Sequence, residues 1–127
     1  NWYAVDNSTG VLCPEGWHVP TTNEYNTLSA YLGGNSVAGR EMKETGTTYW
    51  QSSNTSVTNS SGFSGRGGGY RNYTNGNYNY LNQYTWFWVA NQRNSTLAYY
   101  LALTTNESVN IASSYKKYGF SVRCLED

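Results

Sequence analysis

One histidine, His18, stands in the whole chain, so any Ser-His-Asp arrangement would have to be built on it. It lies in GWHVP, among residues that read as structural, and is expected to be a packed or capping side chain. Paired carboxylates can do acid–base work, but Glu15, Glu24, Glu41 and Glu44 read as helix caps and surface charges. Gly67-Gly68-Gly69 lacks the Lys-Ser/Thr and the strand–helix setting of a phosphate loop. A calcium site needs several oxygen ligands, usually with clustered carboxylates. After Glu44 the only acids are Glu107, Glu126 and Asp127. The residue types that carry chemistry are too few and too scattered, and we expect neither catalysis nor a cofactor or metal.

The sequence is rich instead in rings, with 13 Tyr, 5 Trp and 3 Phe. They are densest in YRNYTNGNYNYLNQYTWFWVANQ, residues 70–92, set among Asn, Thr and Gly. Tyr with Ser, Gly and Asn is the vocabulary of antibody paratopes: the ring gives rigid amphipathic area and the small polar residues adapt. Trp86 and Trp88 read as core, as do Trp17, Trp50 and Tyr70. Tyr73, Tyr78, Tyr80 and Tyr84 alternate with Asn and Gly in a stretch that reads as irregular loop, and they form a candidate binding surface.

The elements that must hold these rings follow from pattern. At 127 residues the chain fits one domain. Eight basic residues balance eight acidic ones, which leaves no electrostatic footprint for nucleic acid. No apolar run is long enough to cross a bilayer. Trp2 to Val5 reads as a short strand ended by the turn DNSTG. Thr21-Thr22-Asn23-Glu24 has the form of a capping box. Tyr25, Leu28 and Leu32 follow at helical spacing, and Gly33-Gly34 supplies the stop. A shorter helix over Val37 to Lys43 is interrupted by Gly39. From Thr45 to Gln83 there is little periodicity, and the stretch reads as a long loop pinned by Tyr49, Trp50, Phe63 and Tyr70. Three strand-like runs follow: Trp86 to Val89, Leu97 to Leu103, and Gly119 to Leu125. In the last, Phe120, Val122 and Cys124 alternate with Ser121 and Arg123. The fold class is α+β. Cys13 and Cys124 are either unrelated buried thiols or one disulfide joining the ends, and a disulfide would imply an oxidising compartment. The chain opens at Asn1 within a strand-like run, so a domain excised from a larger protein is expected.

CPEGWHVPT (Cys13 to Thr21), YLGG, KETGTTYW (Lys43 to Trp50), NSSGFS (Asn59 to Ser64), GGYR and the closing GFSVRC resemble the Fibrobacter succinogenes major paralogous domain, in the right order and over nearly the whole chain. That family of secreted and cell-surface bacterial domains is similar to C-type lectins and to formylglycine-generating enzymes. The resemblance implies a C-type-lectin-like fold: a two-stranded sheet at the termini, flanking helices, and long loops over a small upper sheet. It also implies the pairing Cys13–Cys124. The oxidative chemistry of the formylglycine generators needs a cysteine beyond these two. The Glu-Pro-Asn or Gln-Pro-Asp signature of calcium-dependent lectins has no counterpart after Pro20.

Similar domains carry an asparagine run before KK and GFSVRC, where this chain has Ile111-Ala112-Ser113-Ser114-Tyr115. All of these are reachable from an asparagine codon by changing adenines, which resembles the retroelement-diversified variable proteins built on the lectin-like fold. The analogy implies ligand contacts along the last strands: Tyr84, Val89, Asn91, Arg93 and Asn94, then Leu97, Tyr99, Leu101 and Leu103. Thr105, Asn106, Asn110, Ile111, Ser113 and Tyr115 complete the set. The expectation is a secreted or surface-held bacterial module that binds an unknown protein or glycan without catalysis, nucleic acid or membrane insertion. The alternative is a structural repeat of a surface fibre or adhesin, self-associating through its tyrosines.

Overall fold

The computed structural model describes residues 1–6, 12–51 and 56–127. A 3₁₀ helix (Trp2–Ala4) is followed by β1 (Trp17–His18), α1 (Thr22–Tyr31) and α2 (Ala38–Met42). Then come β2 (Gly68–Arg71), β3 (Tyr78–Leu81), β4 (Thr85–Gln92), β5 (Leu97–Leu103), β6 (Val109–Tyr115) and β7 (Leu125–Glu126). β1 and β7 pair antiparallel as a small sheet at the termini, and the other strands form one sheet in the order β3-β2-β4-β5-β6. Only β2 and β4 run parallel, and they meet at a single pair, Gly69 and Thr85. This is a small α+β domain.

Two cores lie on opposite faces of the main sheet. Phe87, Val89, Leu101, Leu103 and Val109 face Tyr25, Ala38, Met42 and Trp50, so the helices and the Trp50 loop cover one side. Trp88 and Ala98 face Trp2, Val5, Cys13 and Val19, with Tyr100, Tyr118, Phe120 and Val122 packed alongside. The alternation along β4 and β5 assigns each side chain to one core or the other, as a period-two element requires.

α1 begins at the expected capping box. Glu24 N–H donates to Thr21 Oγ1, and Thr21 N–H donates back to the Glu24 carboxylate at 2.7 Å. Gly34 N–H reaches Ser29 O at 2.8 Å to close the helix. α2 keeps Gly39 within it rather than breaking there. A Cβ at Gly39 would lie 2.5 Å from Ser108 O, so the missing side chain lets α2 press onto the β5–β6 turn.

Three expectations need correction. Trp2 to Val5 is not a strand: Trp2 is buried, its indole N–H donating to Val89 O at 2.7 Å, and the chain coils tightly around that anchor. The DNSTG turn lies mostly outside the described residues. The stretch from Thr45 to Gln83 holds β2 and β3, a ribbon whose Gly, Tyr and Asn composition masks any aliphatic alternation. Gly119 to Leu125 is not one strand either. Arg71 and Gly119 exchange backbone hydrogen bonds at 2.8 and 3.0 Å, while Ser121 accepts from Trp88 N–H and donates to Trp86 O, both at 2.9 Å. Residues 119–121 are thus a wedge hydrogen-bonded to both β2 and β4, which otherwise meet only at Gly69. Phe120 and Val122 still pack on the second core as the alternation requires.

Cys13 and Cys124 form a disulfide with a Cα–Cα distance of 5.8 Å. Closing a loop across a sequence separation of 111 removes unfolded-state entropy worth about 4–5 kcal/mol in the chain-entropy model. Replacing both cysteines by alanine should lower unfolding free energy in urea by about that amount, with the m-value read alongside to detect a changed denatured state. Unchanged stability on removal would contradict the structural role of the link.

Candidate functional site

The rings of the Tyr-rich stretch and of the wedge gather into one tract. Tyr70 on β2 stands edge-on to Trp86 at 5.2 Å, to Tyr118 at 5.5 Å and to Phe120 at 6.3 Å. Phe120 lies nearly parallel to Trp86 at 5.9 Å and to Tyr118 at 5.7 Å. Tyr80 stacks on Tyr70 at 5.9 Å and meets Tyr84 at 5.1 Å, while Tyr73 meets Tyr118 at 4.9 Å. Edge-to-face and offset geometries suit the ring quadrupoles and are worth about 0.5–1.5 kcal/mol per pair beyond area burial. The inner rings are half-buried, and Tyr73, Tyr80 and Tyr115 are exposed at the rim. Between them opens a cavity of about 150 Å³ lined by Tyr70, Trp86, Tyr100, Ser114, Tyr118 and Phe120.

A backbone kink sets the tract. Gly69 and Tyr80 face each other across the β2–β3 register and both have positive φ, 62° and 59°. A tyrosine in that region is strained, at a cost of roughly 1–2 kcal/mol. The kink presents the Tyr80 ring to Tyr70, Tyr84 and Trp86. Gly69 cannot be replaced without loss, because a Cβ there would lie 2.2 Å from Asn79 O.

The structure divides the residues anticipated as contacts. Val89, Leu101 and Leu103 are fully buried in the first core and present no surface; β5 lies between two strands with both faces covered. Tyr99 and Ile111 are half-buried against that core. Asn91 spends its amide oxygen on Thr22 N–H at 2.9 Å, at the start of α1. Asn94 and Asn106 hold turns: Asn94 Oδ1 accepts from the N–H and hydroxyl of Thr96, and Asn106 Oδ1 from those of Ser108. Asn72 does the same with Thr74. The recurrent Asn-x-Ser/Thr spacing is therefore a turn device here. Arg93 donates to Ser113 Oγ at 3.0 Å, and with Leu97 and exposed Tyr115 it marks one end of the sheet; Thr105 and exposed Asn110 lie toward the other. Tyr84 joins the aromatic tract.

Sequence reasoning placed Tyr70 and Trp86 in the core, but both are half-buried walls of the cavity, and Trp17 is 43% exposed. Trp50 and Trp88 are core. Tyr100, Tyr118 and Phe120 were missed as wall residues. The alternation of Phe120 and Val122 was the available signal, but it does not say that the segment wedges into the sheet.

Two charged side chains hold the frame. His18 Nδ1 lies 2.6 Å from Asp127 Oδ1, and its Nε2 lies 2.8 Å from Glu24 Oε1. Ionised carboxylates only accept, so these two contacts favour the ring with both nitrogens protonated, the imidazolium. The hydrogen bond to Asp127, then that to Glu24, raises its pKa above the ordinary 6.5. The Thr21 backbone N–H, more than His18, holds Glu24 below the usual carboxylate range. His18 thereby ties the C-terminus to the cap of α1. Lys43 is buried; its ammonium donates to Thr104 O at 2.9 Å and Asn106 O at 2.8 Å, 5.1 Å from the centroid of the Trp50 ring. Burial pulls its pKa down to about 8. Among the described residues no three His, Cys, Asp or Glu side chains gather as a metal site.

This geometry defines a disulfide-linked α+β domain with an aromatic face, and the disulfide points to a compartment outside the cytoplasm. The chain belongs to the Fibrobacter succinogenes major domain family, a bacterial family whose model matches residues 1–126. No curated protein and no solved structure matches it. No helix among the described residues is long and apolar enough to cross a membrane.

Two outcomes follow from the site. Because the folded pKa of His18 is raised, its contribution to stability is complete below pH 6.5 and is lost as pH rises through the higher folded value. The Tm gap between the wild type and His18→Gln should therefore be widest near pH 6 and close toward alkaline pH; a gap that widens with pH would contradict the imidazolium bridge. Gly69→Ala, which meets both a backbone oxygen and a positive φ, should cost at least about 2 kcal/mol in denaturant unfolding. A neutral effect would show that the kink is absent.

Proposed function

We propose that this chain is a C-type-lectin-like binding module, carried on a secreted or surface-held bacterial protein, that recognises its ligand without catalysis or bound calcium. The observation that carries the reading is the aromatic tract: exposed Tyr73 and Tyr80 packed on half-buried Tyr70, Trp86, Tyr118 and Phe120, with exposed Tyr115 against Tyr73. Rings already held by their neighbours lose little freedom on binding, which is where affinity is otherwise spent. The lectin-like assignment is supported by the termini sheet, the two flanking helices, the small upper sheet and the Cys13–Cys124 link. β6 is an edge strand whose Asn110 and Tyr115 are exposed and whose residues 111–114 are half-buried. Such a strand tolerates varied side chains, in keeping with retroelement diversification there.

A second reading, assembly into a surface fibre, is favoured by one observation. β3 is the other edge strand, with Tyr78 79% and Leu81 66% exposed. Exposed apolar edges invite pairing between copies, although the kink at Tyr80 blunts this one.

The test combines a glycan and protein-ligand array with sedimentation over a wide concentration range. The binding reading predicts a monomer at all concentrations and an array signal that Tyr73→Ala/Tyr80→Ala removes while the fold persists. Concentration-dependent oligomers dispersed by Tyr78→Ala/Leu81→Ala, with no array signal, would replace it with self-assembly.

A further inference from the structure

The chain is neutral, but its charges are segregated. Between residues 65 and 124 stand Arg66, Arg71, Arg93, Lys116, Lys117 and Arg123, with Glu107 the only carboxylate. Glu107 faces away from the aromatic tract, toward Arg40 on α2 at 4.0 Å. The segment that supplies most of the tract's rings therefore carries a net positive charge.

Three cavities run in sequence along the wedge. The first, about 300 Å³, is bounded by Tyr73, Tyr115 and Lys117. Tyr73 and Tyr118, 4.9 Å apart, separate it from the central ring-walled cavity. The central cavity shares Tyr70 and Phe120 with a third, also about 300 Å³, which is bounded by Arg71 and Tyr78. No carboxylate lines any of the three. Lys117 and Arg71 are exposed and make no ion pair among the described residues, unlike Arg66, which is bound to Glu44. At the Arg71 end the wall includes Gly68, beside which lie the Ser121 hydroxyl and the buried Thr85 hydroxyl, the latter without a hydrogen-bond partner among the described residues.

We infer that this groove binds an acidic polysaccharide, a chain of pyranose rings bearing carboxylates. The inference rests on the binding-module reading and names its ligand class. Axial C–H groups make a pyranose face weakly positive and apolar, and it lies well on the negative face of an aromatic ring. From Tyr73 through Tyr118 to Tyr70 the ring centroids step 4.9 and 5.5 Å, each comparable to one sugar residue, with Phe120 beside the last two at 5.7 and 6.3 Å. Lys117 borders the first cavity and Arg71 the third, so a ligand carboxylate in either meets a cation. A cationic ligand for the ring-walled cavity is disfavoured by the same two charges. A nucleic-acid strand would bring a phosphate with every base, against two free cations, and the disulfide points to a compartment outside the cytoplasm.

The test is affinity electrophoresis and calorimetry with polygalacturonate, its fully methyl-esterified neutral counterpart, and single-stranded oligothymidylate. Polygalacturonate should bind, more weakly as salt rises, and the neutral ester should bind markedly less. Lys117→Ala/Arg71→Ala should weaken polygalacturonate binding roughly tenfold, two exposed ion pairs' worth. Trp86→Ala should weaken both polymers, and Arg40→Ala, a cation remote from the groove, should change neither. Equal binding of acid and ester would overturn the acidic class while leaving a binding module. Tighter binding of oligothymidylate would overturn it in favour of nucleic acid. Failure of all three to bind would overturn the inference alone, since the array decides the module reading separately.

Discussion

The tract depends on three residues at the end of the chain being held between β2 and β4. Those strands share one pair, Gly69 with Thr85, and the gap beyond it is filled by Gly119, Phe120 and Ser121 through four backbone hydrogen bonds. An unfilled gap would leave N–H and C=O groups of Arg71, Trp86 and Trp88 without partners, at about 1–3 kcal/mol for each one buried. The wedge also decides where Tyr118 and Phe120 stand, and they in turn complete the walls begun by Tyr70 and Trp86. Three residues further on, Cys124 anchors the segment covalently to Cys13.

The rest of the frame serves the same end. Trp2 fixes the first residues by hydrogen-bonding Val89 O, and Lys116 lies over its ring at 4.4 Å while donating to Gln92. The chain thus enters and leaves beside β4. Few aliphatic residues are available, so both cores are built around tryptophan: Trp50 on the helix side and Trp88 on the other, both essentially unexposed. Large rings supply burial that a chain rich in Asn, Ser and Thr could not otherwise reach. The polar residues do their work locally, as the Asn72, Asn94 and Asn106 turns show.

Features with a local physical cause were legible in the sequence. Thr21 and Glu24 announce the start of α1, and Leu97 to Leu103 reads as a strand and is one. What failed depends on neighbours. Alternation along β5 is real, but nothing in it says that both faces are covered, Leu101 and Leu103 by the helix side and Ala98 by the other core. β6 carries VNIASSY, which has no strong strand signature; pairing with β5 makes it a strand. The β2–β3 ribbon hides behind glycine and asparagine. Asn91 and Asn94 read as surface amides, and nothing in their own sequence says that one caps a helix 69 residues away. The aromatic face was legible in its tyrosines but not in its depth, since Phe120 and Tyr118 arrive from the far end of the chain.

Amide hydrogen exchange at the wedge tests the account most directly. With the disulfide intact, the N–H groups of Arg71, Trp88, Gly119 and Ser121 should exchange as slowly as the β4–β5 ladder, opening only with the whole fold. Exchange at the rate of the exposed turns would mean that residues 119–121 do not bind both strands, and the aromatic groove as described would not exist.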